Sequence, residues 1–154
     1  MKAVIINKFG DVNQLQLTEV PKPTVGEGEV LIRVKAAGVN PVDWKIRKGL
    51  LAERGLPHQF PLILGWDVAG IIEDRGHSAR RFKVGDAVYA YCRRPVIKKG
   101  AYAEYIALPE SYIADKPKNI SFEESAAVPL AALTAYQSVH TAGDIKKGES
   151  ILIL

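Results

Sequence analysis

The chain of 154 residues has a single cysteine, Cys92, which excludes an internal disulfide and any multi-cysteine zinc site. No apolar run is long enough to cross a bilayer; a representative one, residues 128–133, ends well short of that length. Residues 1–7 lack the layout of a secretory signal, because polar residues resume within one strand length. The three histidines, His58, His77 and His140, are far apart and none falls in a metalloprotease-type spacing. Aromatic residues make up 8% of the chain and do not interleave with its basic groups, as a stacking platform for single-stranded nucleic acid would need. Charged residues at 25%, with 13 Gly and 9 Pro, are ordinary usage and argue against disorder and collagen-like repeats. A soluble, cytoplasmic domain with no membrane or nucleic-acid partner is the expectation.

The balance of 21 Lys and Arg against 17 Asp and Glu gives a net charge of +4. The basic residues gather in short groups, including Lys45–Arg47–Lys48 and Arg93–Arg94 with Lys98–Lys99. Solvated turns and helix ends account for them, and an anionic cofactor is the alternative.

The first two-thirds reads as short strands separated by turn chemistry. Residues 2–7 are β-rich, and residues 15–20 and 30–36 alternate apolar with polar, as half-buried strands do. Residues 71–73, 87–90 and 101–107 add further strands, each flanked by Gly, Pro or Asp. This pattern favours a mainly β fold, a closed or partly closed barrel, over an open parallel sheet. Helices are few. Asn40-Pro41 reads as an N-cap with proline in the first turn, Asp43 sits near the positive dipole end, and Gly49 marks the stop. Ser121 and Glu124 form a capping box, and a further helix runs from Pro129 to about Thr141, with Leu133, Tyr136 and His140 on one stripe. Residues 150–154 read as a buried parallel strand that has no partner in an antiparallel barrel.

Two glycine-bearing segments fail as catalytic motifs. Residues 143–150 have the glycine spacing of a phosphate loop, but Glu149 stands where its lysine is needed and a strand follows in place of a helix. Gly26 and Gly28 precede a strand and lack the third glycine of a dinucleotide fingerprint.

Seven segments, taken in order, resemble the catalytic domain of the medium-chain dehydrogenase/reductase superfamily. They begin with MKAVIINKFG at 1–10, GEVLIRV at 28–34 and AAGVNPVDWKIRKG at 36–49. They continue with PLILGWDVAGII at 61–72, FKVGDAVYA at 82–90, GAYAEYIALPES at 100–111 and AAVPLAALTAYQSV at 126–139. The resemblance implies a GroES-like, partly closed β-barrel over residues 1–125. Residues 126–154 would then be a linking helix and the first strand of a truncated Rossmann domain.

Departures from that family narrow the reading. Zinc-dependent members carry a cysteine where this chain has Asn40, and a Gly-His-Glu motif where it has Gly65-Trp66-Asp67. Asn40 and Trp66 cannot complete a catalytic zinc set, so no zinc is expected. The segment NPVDWK looks closest to zinc-free quinone oxidoreductases and enone reductases. The resemblance implies hydride transfer from NADPH, with NADH as the alternative, to a quinone or α,β-unsaturated carbonyl, and a homodimer at full length. It places Asn40 beside the nicotinamide ribose, Thr134 at the nicotinamide end, Lys45 facing nicotinamide or substrate, Asp43 at a matching family position and Trp66 in the acceptor pocket. Lys45 and Asp43 are therefore candidate catalytic residues, Asn40 and Thr134 candidate cofactor contacts. Each also has a purely local account: cap, first-turn carboxylate, solvated lysine, helical threonine, space-filling ring. The chain alone is expected to be inactive, with half the cofactor cleft absent. A freestanding chaperonin-10-like binding module is the alternative, distinguished by whether glycine-rich Rossmann sequence follows.

Overall fold

The computed structural model describes residues 1–153. Eight strands form two sheets. The smaller sheet has the order β2–β1–β4, from β1 (Lys2–Ile6), β2 (Gln16–Glu19) and β4 (Leu62–Ile63). The larger has the order β7–β3–β5–β6–β8, from β3 (Glu29–Gly38), β5 (Asp67–Arg75), β6 (Ala87–Tyr91), β7 (Tyr105–Pro109) and β8 (Ile113–Asp115). Every ladder is antiparallel. Register shifts between Leu31 and Ile32 and between Val34 and Ala36 interrupt the β3–β5 ladder, in the manner of bulges that bend a sheet. The two sheets meet where residues 102–104 run beside β1: the Val4 N–H donates to the Tyr102 carbonyl at 2.8 Å and Ala3 bridges Ala103. The result is the expected mainly β, GroES-like architecture, without full barrel closure among the described residues.

The alternating strands place Val30, Ile32, Val68, Ile72, Val88, Ile106 and Leu108 in the core of the larger sheet. A second cluster, with Ile6, Ile46, Leu62, Leu64 and Trp66, lies under helix α1 (Pro41–Arg47). Helix α2 (Phe122–Ala127) starts at the expected capping box, with the Glu124 N–H donating to Ser121 Oγ and the Ser121 N–H to Glu124. It packs on β3 and β5 across Gly38, where a Cβ would stand 2.4 Å from the Ala126 carbonyl oxygen.

Three elements differ from the sequence expectation. The strand expected at 101–107 begins only at Tyr105, because residues 101–104 are used to join the two sheets. The helix expected from Pro129 to Thr141 is α-helical only as α3 (Pro129–Tyr136) and widens to a π-helical turn over Gln137–Ala142. There the Gly143 N–H reaches back five residues to the Ser138 carbonyl. Residues 150–153 form no strand: Ile151, Leu152 and Ile153 are exposed, and no sheet edge among the described residues takes up their backbone hydrogen bonds. Leu154, the last residue of that expected strand, lies outside the described residues.

Candidate functional site

The N-terminus of α1, the turn before β5 and the N-terminus of α3 converge on two buried carboxylates. Asn40 is the N-cap of α1, and its backbone N–H donates to Asp43 Oδ2 at 2.8 Å. Asp43, only 4% exposed, also accepts from the Tyr102 hydroxyl at 3.0 Å and, through Oδ1, from the Gly65 N–H at 3.1 Å. Gly65 is needed there. Its φ of +94° is left-handed, and a Cβ would stand 2.6 Å from the Tyr102 ring.

Asp67 is fully buried. Its carboxylate accepts from the Asn40 side-chain amide at 2.9 Å and from the Leu130 N–H at 3.1 and 3.2 Å. Pro129 fills the first position of α3 without an N–H, so Leu130 presents the first free backbone donor of that helix, and Asp67 takes it at the positive dipole end. Burial pushes both carboxyl groups above the usual aspartate value of 3.8, and the hydrogen bonds only partly offset it. Each Asp67 oxygen and each Asp43 oxygen thus has a protein donor.

Beside this network, Trp66 and Tyr91 pack edge to face with centroids 6.0 Å apart. With Val42, Leu51 and Leu56 they line an open cleft of about 460 Å³, whose remaining walls include Arg54 and Arg93. The Arg93 guanidinium stands over the Trp66 ring at 5.5 Å.

The structure brings Asn40, Asp43 and Trp66 together around Asp67. Thr134 lies one turn beyond Leu130, exposed, with its hydroxyl donating to the Leu130 carbonyl at 2.7 Å. Lys45 stands apart, exposed on α1 with Nζ 5.6 Å from the Trp44 ring. Sequence reasoning missed several contributors, among them Asp67, Tyr102, Tyr91 and Arg93. Asp67 carried a signal, since an isolated carboxylate within the apolar run 61–72 needs buried donors. Tyr102 is 59 residues from Asp43 and Arg93 lies in a basic pair read as a turn, so neither had a local signal. The donor set at the positions of the zinc-type motif does not suit a metal. Trp66 offers no ligating atom, the Asn40 amide nitrogen is turned to Asp67, and Asp43 is saturated.

Comparison with known proteins agrees with this architecture. Residues 26–118 match the Alcohol dehydrogenase GroES-like domain family. The 2-methylene-furan-3-one reductase of Solanum lycopersicum is 40% identical over 159 aligned positions, covering 100% of this chain and 40% of that protein. The quinone oxidoreductase from Coxiella burnetii superposes with a TM-score of 0.87 at 31% identity, over 97% of this chain and 47% of that one. The Escherichia coli quinone oxidoreductase complexed with NADPH gives a TM-score of 0.86 at 31% identity, over 97% of this chain and 43% of that one. The chain spans less than half the length of these relatives. It belongs to the alcohol dehydrogenase GroES-like domain family, within the medium-chain dehydrogenase/reductase superfamily.

Proposed function

We propose that the full-length protein reduces quinones or α,β-unsaturated carbonyls by hydride transfer from NADPH without zinc, and that this chain supplies the acceptor side of the cleft. The observation that carries the reading is the Asn40–Asp67–Leu130 network. Where zinc-type relatives bind metal, this chain builds a closed set of hydrogen bonds beside an aromatic cleft. NADPH, when bound, supplies the hydride; the chain's part is to hold, orient and stabilise charge.

Asn40, with its amide nitrogen fixed on Asp67, directs the rest of its side chain to the ribose at the nicotinamide end. Thr134 offers its hydroxyl oxygen from the same end, on a helix whose start is fixed by the same carboxylate. Trp66 and Tyr91, set edge to face, provide an aromatic wall for the acceptor. Lys45, free on the surface of α1, swings to the oxyanion that forms when hydride reaches the acceptor, and solvent supplies the proton that completes the reduction. Asp43 acts at one remove, as a positioning residue that fixes Asn40 and Tyr102.

NADPH oxidation by metal-stripped full-length protein, with a panel of quinones and enones, tests the proposal. Turnover without added metal is expected; activity that appears only with zinc overturns it. Thr134→Ala should raise KM for NADPH several-fold with little change in unfolding free energy, and Lys45→Ala should lower kcat.

A further inference from the structure

Of the eight arginines, five reach a carbonyl or carboxylate: Arg33, Arg47, Arg75, Arg81 and Arg94. Among the described residues, Arg54, Arg80 and Arg93 form neither an ion pair nor a side-chain hydrogen bond, and two of these three flank the same cleft. Arg54 comes from the turn after α1 and Arg93 from the end of β6, so the fold brings them together across 39 residues of sequence. No carboxylate lines that cleft, and its floor is Trp66 and Tyr91.

We propose that the cleft is specific for acceptors bearing a carboxylate, held by Arg54 and Arg93 while the conjugated ring or enone lies in the cleft beside Trp66 and Tyr91. This rests on the reading of the cleft as the acceptor pocket and deepens it. Guanidinium stays charged at any working pH and presents a planar donor fork that matches a carboxylate. An apolar floor with an unpaired cationic rim suits a molecule that is flat and uncharged at one end and anionic at the other.

The test uses this chain with Trp44→Phe, which leaves Trp66 as its sole tryptophan, and follows fluorescence quenching by flat probes with no reductant present. Anthraquinone-2-carboxylate should bind about 5- to 10-fold more tightly than 2-(hydroxymethyl)anthraquinone, with a preference that salt weakens. In the Arg54→Gln/Arg93→Gln variant the two probes, compared with each other in that same variant, should bind equally. Equal binding of both probes with the arginines intact overturns the carboxylate assignment and leaves the pocket standing. Absence of quenching by either probe overturns the pocket as well. Displacement of the carboxylate probe by inorganic pyrophosphate at equal concentration overturns the proposal in favour of cofactor phosphates as the anion at these arginines. Because no step depends on turnover, failure here is separable from failure of the hydride-transfer reading.

Discussion

At its first turn, α3 is held by a fully buried carboxylate: Pro129 is buried and the Leu130 N–H is fixed to Asp67. From Ala131 to Tyr136 the same helix is exposed along its length, Leu133 and Tyr136 included, and beyond it Leu152 is 82% exposed. One end is polar and buried, the other apolar and open. The position of α3, and with it Thr134, is set from its first turn, by Asp67 together with the buried Pro129 and with Leu130 packed on the second core cluster.

The sharpest way to break that contrast is Asp67→Ala. It leaves the Leu130 N–H and the Asn40 amide without their acceptor, and should cost about 2–4 kcal/mol in urea unfolding. A cost near zero would mean the carboxylate is not the anchor. Tyr102→Phe removes one hydrogen bond from Asp43 and should cost about 1 kcal/mol, by the same measurement.

A pH series sharpens the comparison further. Burial raises Asp67, so the folded chain binds that proton more tightly than the unfolded chain does. The stability this contributes is therefore full below the ordinary value of 3.8 and is lost as pH rises through the higher folded value. Wild type should lose melting temperature relative to Asp67→Asn as pH climbs from about 4 to 7. A gap that moves the other way would show that the hydrogen bonds outweigh burial. At the open end, Leu133→Gln and Tyr136→Gln should each change stability by less than about 0.5 kcal/mol. A larger loss would show that the exposed face of α3 contributes to the fold.

These two regions were unequally legible in the sequence. The α1 cap was readable because Asn40, Pro41 and Asp43 lie within four residues and act on one another through local backbone. The same holds for Ser121 and Glu124. Asp67 was visible only as a departure from a metal motif, because its partners lie 27 and 63 residues away and only the fold unites them. The helix end was misjudged for a related reason. Apolar periodicity continues through Val139, but the switch to a wider turn at Gln137 depends on which carbonyl the Gly143 N–H finds.

Cys92 gains a meaning from its surroundings. It is 1% exposed, its Sγ is directed at the Gly65 carbonyl at 3.5 Å, and burial holds the thiol well above its usual range. Quinones and enones are electrophiles that alkylate thiolates, and the thiolate is the reactive form of cysteine. The single thiol of this chain is thus buried beside the cleft and kept protonated, out of reach of an electrophile bound there.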